Sequence, residues 1–134
     1  MIGALLEPNF DPRKKIILES APFPAAGEPV RGTANGTASV TASSTDWLEI
    51  SAEVSKPELL LITDNYSAGW RAVAEPDSSQ RRYALLPADY VLRSIPLAAG
   101  KHRLRVEYAP AAFRVGVWIS LLAWVCFGAA VLRR

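Results

Sequence analysis

The chain has 134 residues, with 15 lysines and arginines against 13 acids, one histidine and one cysteine. That length holds one domain plus one further element, and a net charge of +2 scattered along the chain argues against a nucleic-acid partner. The lone Cys126 excludes an intramolecular disulfide and a cysteine-built metal site. Met1 to Leu6 is short and apolar, with no basic region and no processing site, so it does not read as a secretory leader. Two expectations remain open: the chain is a piece of a longer membrane protein, or its C-terminal run inserts as a tail anchor.

In chain order, Asp11-Pro12 is expected to form a turn, because the proline ring keeps the preceding residue out of the helical region. Ile16 to Leu18 reads as a short first strand. Ser20 to Gly36 carries three prolines and three glycines and reads as a loop. From Ala38 the pattern turns to strands. Val40 and its Thr and Ser neighbours lead into Asp46 to Val54, where Leu48, Ile50, Ala52 and Val54 alternate with polar or outward positions. Leu59 to Thr63 is continuously apolar and is expected to be a central strand covered on both faces. Further strands are expected at Arg71–Ala74, Arg81–Leu86 and Asp89–Ile95, with a turn at Pro76–Ser79. His102 to Tyr108 alternates strictly: His102, Leu104, Val106 and Tyr108 share one face, and Arg103, Arg105 and Glu107 the other.

The last run, Val115 to Leu132, carries no charge and only one hydroxyl, Ser120, and is closed by Arg133 and Arg134. As a helix, its roughly 18 residues reach about 27 Å, close to the hydrocarbon thickness of a bilayer. It has no polar face at the helical period, as a surface helix of a globular protein would. Trp118, Arg114 and Arg133 suit the two interfaces, and Pro110 suits the first helical turn. The expected fold class is mainly β: an antiparallel β-sandwich of about seven or eight strands followed by one C-terminal transmembrane helix. The expected domains are residues 1–109, a β-sandwich with a Pro/Gly-rich loop at 20–36, and residues 110–134, the transmembrane helix with a short basic tail.

The common catalytic signatures are missing: no GxSxG, Walker loop, GxGxxG or HExxH occurs. His102 lies in phase with Leu104 and Val106 and reads as a packed or rim residue of a strand. Asp64, Asp77 and Asp89 could in principle pair as acids, but on short sandwich strands they read as turn-capping residues. Gly69 is expected to supply a positive φ or a close backbone approach, and Trp70 to plug one end of the sandwich. No catalytic residue, cofactor or metal ligand is assigned. The one surface with binding chemistry is the aromatic loop Tyr66 to Trp70, with Tyr83 and Tyr90 expected nearby. There Tyr66, Trp70 and Tyr90 could stack on a pyranose while Asp64, Asn65 and Arg93 hydrogen-bond its hydroxyls.

Three stretches together resemble a known family: Leu60-Leu61-Ile62-Thr63-Asp64-Asn65-Tyr66-Ser67-Ala68-Gly69-Trp70-Arg71-Ala72, Tyr90 to His102, and Val106-Glu107-Tyr108-Ala109-Pro110. With Phe10-Asp11-Pro12-Arg13 and Ile16 to Glu19, they are similar to the C-terminal region of YfhO-type bacterial membrane proteins, polytopic proteins related to GT-C glycosyltransferases. The family's Asp-Gly turn after the tryptophan is replaced here by Glu75-Pro76-Asp77-Ser78-Ser79. The resemblance implies a non-catalytic, extracytoplasmic accessory domain of the cell envelope, joined to the last span of a sugar-transfer protein. The partners it implies are the lipid bilayer and other transmembrane helices of a larger transferase. The alternative is a carbohydrate-binding module holding a cell-envelope glycan at the membrane surface. By the positive-inside rule, Lys101, Arg103, Arg105 and Arg114 would favour a cytoplasmic domain, but cations on a folded sheet weigh less in that rule.

Overall fold

The computed structural model describes residues 11, 16–25 and 36–133. The expectations for Met1 to Leu6, for Phe10, Pro12 and Arg13, for 26–35 within the 20–36 loop, and for Arg134 fall outside these residues. Among the described residues are seven strands and one helix: β1 (Gly36–Ser43), β2 (Trp47–Val54), β3 (Glu58–Ile62), β4 (Trp70–Ala74), β5 (Leu86–Ala88), β6 (Leu92–Leu97), β7 (Gly100–Tyr108) and α1 (Ala111–Leu132). The strands form two antiparallel sheets, β1-β2-β7-β4 and β3-β6-β5. This is the mainly β sandwich with one C-terminal helix that the alternation predicts.

The core follows from period-2 patterning. Ile50, Ala52 and Val54 on β2 are buried, as are His102, Leu104 and Val106 on β7. Ile95 and Leu97 of β6 join them from the other sheet in a single cluster, since the inner faces of two sheets must supply each other's cover. The outward faces of β2, β7 and β4 carry charges that meet across strands. Lys101 pairs with Glu53 (3.7 Å), Arg105 with Glu49 (3.4 Å) and Arg71 with Glu107. The guanidinium of Arg105 also lies 4.2 Å from the centroid of the Trp47 ring. Such solvated pairs add at most about 1 kcal/mol each and serve to fix register.

Five expectations need correction. Ile16 to Leu18 is not a strand; it makes one bridge, Leu18 to Ala88, supported by the Asp89 N–H donating to the Ile17 carbonyl (2.8 Å). Its partner β5 is only three residues long, so there is nothing further to pair with. The apolar run at Leu59 to Thr63 is not central: β3 is an edge strand, and β6 lies between β3 and β5. β6 hides this role because it contains Arg93, Ser94 and Pro96, all buried. Ser94 Oγ donates to the Leu86 carbonyl. Pro96 lies beyond the end of β5, where its missing N–H costs no ladder bond. There the Gln80 side chain substitutes for a strand, donating to the Pro96 carbonyl and accepting from the Ala98 N–H.

The expected strands Arg81–Leu86 and Asp89–Ile95 are displaced toward the C-terminus, to Leu86–Ala88 and Leu92–Leu97. Asp89 and Tyr90 adopt positive φ values of 46° and 72°, and this turn reverses the chain between the two strands. Finally, Pro110 caps α1 rather than lying in its first turn, and its carbonyl accepts the Phe113 N–H (3.1 Å).

Successive strands alternate direction, so the connections segregate to two ends. Residues 44–46, 63–69, 89–91 and 109–110 gather at the end where β7 passes into α1, called the helix end below. At the far end, β6 turns into β7 through Ala98-Ala99, and Gly100 takes a φ of 135° that an L side chain would resist. A Cβ there would also press on the Ser79 side chain.

Candidate functional site

The helix end holds all six residues with sugar-binding chemistry. The loop between β3 and β4 carries Asp64, Asn65 and Tyr66, Trp70 opens β4, Tyr90 lies in the β5–β6 turn, and Arg93 is on β6. Arg93 is the organising group, with a side chain only 2% exposed. Its Nε donates to the Asn65 carbonyl (2.7 Å) and its Nη2 to Asp64 Oδ2 (2.7 Å). Its guanidinium carbon lies 3.8 Å from the Trp70 ring centroid. Burial pulls the Arg93 pKa below the ordinary guanidinium value, and the charge and hydrogen bond of Asp64 oppose that shift. Asp64 itself spans the turn, because its other oxygen accepts the Asn65 N–H (2.8 Å).

This arrangement ties the 63–69 loop to the second sheet. The Tyr66 N–H donates to the Val91 carbonyl (2.7 Å), which brings Tyr66 and the Tyr90 turn to the same end. Trp70 is half-buried against the core and meets Tyr108 at a centroid distance of 5.4 Å, tilted by 55°. One part of the Trp70 surface is therefore taken by Arg93 and another by Tyr108. Tyr90 is the most open aromatic of the six, at 57% exposure.

Sequence reasoning missed Tyr108 as the partner of Trp70. Only the register of β4 on β7, which sets Trp70 opposite Tyr108, reveals it. Gly69 resolves the same way: its backbone approaches Tyr108 so closely that a Cβ would strike the ring. Its carbonyl also accepts the Ala109 N–H (2.8 Å), which latches the loop to the start of the helix connection. Gly69→Ala is expected to lower stability by about 1–2 kcal/mol by prising Tyr108 off Trp70. Chemical denaturation of the full chain in lipid nanodiscs checks this, and an unchanged midpoint would mean that the ring swings away freely.

Tyr83 does not belong to this cluster. It is part of a buried hydrogen-bond chain with His102, which packs in the core as its alternation phase implies. His102 Nε2 faces the Ala98 carbonyl at 2.8 Å and so carries the proton, while Nδ1 accepts from the Tyr83 hydroxyl (2.7 Å). The Tyr83 oxygen in turn accepts from Ser78 Oγ, which accepts the Arg103 N–H (3.1 Å). Every member has a partner, as buried polar groups require. Tyr83→Phe should cost about 1–2 kcal/mol, because His102 Nδ1 and Ser78 each lose a partner.

Burial raises the Tyr83 pKa above 10, against the lowering effect of the Ser78 hydrogen bond. The neutral tyrosine is thus favoured in the folded state. Its contribution is complete below the unfolded value of about 10 and is lost as pH rises toward the folded value. Stability measured from pH 9 upward should fall less steeply in Tyr83→Phe than in the parent.

The three acids are used in turns. Asp89 Oδ1 accepts the Ile17 N–H (2.8 Å), Asp64 holds Arg93, and Asp77 takes a positive φ in the turn after β4, at the far end. Among the described residues, no group of three His, Cys, Asp or Glu side chains is placed to hold a metal ion.

No protein-family model, curated protein or solved structure matches this chain.

α1 extends the helix end. It is 22 residues long, contains no buried residue, and is long and apolar enough to cross a membrane. Cys126 is exposed on it.

Proposed function

We propose that this chain is a membrane-anchored, non-catalytic β-sandwich accessory domain. In this reading it stands on the outer face of a bacterial cell membrane as the C-terminal part of a polytopic, glycosyltransferase-like protein. The observation that carries the anchoring is α1 itself: an apolar helix that the protein leaves bare from end to end. In water, leaving that much apolar surface exposed forfeits about 25 cal/mol per Å², whereas lipid supplies the missing cover. The outward orientation and the transferase context are supported by the YfhO-like stretches at Leu60–Ala72, Tyr90–His102 and Val106–Pro110.

Orientation is tested with Val40→Cys in a Cys126→Ser background, since Val40 is 61% exposed on the outer strand β1. A membrane-impermeant maleimide applied to intact cells should label this cysteine. Labelling only after the cells are opened would place the sandwich inside and overturn the orientation.

A second reading, a glycan-binding module, is favoured by the convergence of Asp64, Asn65, Tyr66, Trp70, Tyr90 and Arg93 on one end. Because Arg93 and Tyr108 already occupy Trp70, stacking of a sugar would fall to Tyr90. Titration with cell-envelope glycans should then perturb the aromatic fluorescence of the parent and not of Tyr90→Ala. A flat response to every glycan rejects this reading.

A further inference from the structure

The helix end of the sandwich exposes large apolar and aromatic side chains among its polar loop residues. Outside α1, six large apolar or aromatic side chains are exposed among the described residues: Phe23, Val40, Val73, Tyr90, Val91 and Tyr108. Three of them, Tyr90, Val91 and Tyr108, lie at the helix end, and half-buried Tyr66 joins them through its backbone bond to Val91. Tyr90 holds a φ of 72°, a conformation that bulky L residues seldom adopt. The connection from Tyr108 to α1 is only Ala109-Pro110.

That short connection fixes the depth of these side chains. A helix of 22 residues is about 33 Å long against a hydrocarbon core of about 30 Å. With Arg133 at one boundary, Ala111 falls near the other. Two extended residues reach at most about 7 Å, comparable to the headgroup layer on one side of a bilayer. Arg114 in the first turn of α1 agrees with this placement. A cation at a helix N-terminus is disfavoured by the helix dipole, but its guanidinium can reach lipid phosphates.

We propose that the helix end is a lipid-contacting surface, with Tyr66, Tyr90, Val91 and Tyr108 seated in the headgroup layer of the bilayer that α1 crosses. Tyrosine is suited to that layer because its ring is apolar and its hydroxyl can hydrogen-bond to headgroups and water. This surface would hold the sandwich flat against the membrane, so that its orientation is set by two attachments rather than by a two-residue hinge. The inference rests on the reading of α1 as a span, and the test separates the two.

The full chain is placed in phosphatidylglycerol/phosphatidylethanolamine nanodiscs with a nitroxide at one of three cysteines. These are the native Cys126, Val91→Cys in a Cys126→Ser background, and Lys101→Cys in the same background as a far-end control. Collisions with oxygen and with a water-soluble nickel chelate report depth. Cys126 should read hydrocarbon. The Val91 site should show nickel accessibility at least about threefold below the Lys101 site, with oxygen accessibility retained, as expected for the interfacial layer. Val91 matching Lys101 while Cys126 still reads hydrocarbon would overturn the lipid surface and leave the span intact. Shielding of Val91 from both reagents would mean that protein covers it, and would also overturn the proposal. Cys126 exposed to nickel would overturn the span and this surface together.

Discussion

Trp70→Ala is expected to lower the stability of the sandwich by about 3–5 kcal/mol, the usual range for emptying a packed aromatic site. The ring does more than fill space. It packs against the core cluster, lies under the guanidinium of Arg93 at 3.8 Å, and supports Tyr108 at 5.4 Å. Without the ring, Arg93 keeps its bonds to Asp64 and the Asn65 carbonyl but loses the π-face over its charge. A cation over an aromatic face away from water contributes about 1–2 kcal/mol of that total. The 63–69 loop should also loosen, because Gly69 packs on Tyr108, which the Trp70 ring supports. Trp70→Phe should recover more than half of the loss. Denaturation in nanodiscs, with hydrogen exchange of the Tyr66 amide as a local probe, decides the matter. A loss below about 1 kcal/mol would mean that the site closes over the missing ring, and that Arg93 does not depend on it.

Leu122→Arg, near the middle of α1, is expected to reduce membrane integration about a hundredfold. An arginine at the centre of a span costs about 2.5–3.5 kcal/mol more than a tolerated residue, and each 1.4 kcal/mol is a factor of ten. Leu122 is exposed and touches none of the sandwich core, so the domain should keep its fold. The two effects are separable: co-sedimentation with vesicles should fall while the denaturation midpoint of the sandwich stays within about 0.5 kcal/mol of the parent. Loss of the fold together with sedimentation would show that α1 supports the sandwich by packing, and would contradict its role as a bare span. Leu122→Ala is the matched control and should integrate like the parent.

The alternation at Leu48–Val54 and His102–Tyr108 made the two central strands of the larger sheet legible, because one face of each is buried and the other solvated. The uninterrupted apolar run after Arg114 made α1 legible for the opposite reason: it has no solvated face at all. β6 was harder to read. Its burial depends on Arg93, Ser94 and Pro96 each finding a partner, and those partners (Asp64, the Leu86 carbonyl and Gln80) come from distant positions that no local pattern connects. Leu59 to Thr63 looked central because apolar continuity records burial on average, not how many neighbours pair with a strand.

The six residues expected to contact a sugar were legible as chemical types, and the fold does bring them to one end. What could not be read was how they are used. Arg93 spends its Nε and Nη2 donors on the Asn65 carbonyl and Asp64, and Trp70 is shared with Tyr108, a pairing set by the register of β4 on β7 rather than by sequence spacing.

The central claim is that lipid covers α1. Alkaline carbonate extraction of membranes from cells producing the full chain tests it most directly, since this treatment strips peripheral proteins and leaves spanning ones in the bilayer. The chain should stay with the membrane pellet, and the Leu122→Arg variant should shift to the supernatant. Recovery of the parent chain in the supernatant as a folded, monodisperse protein would contradict the account.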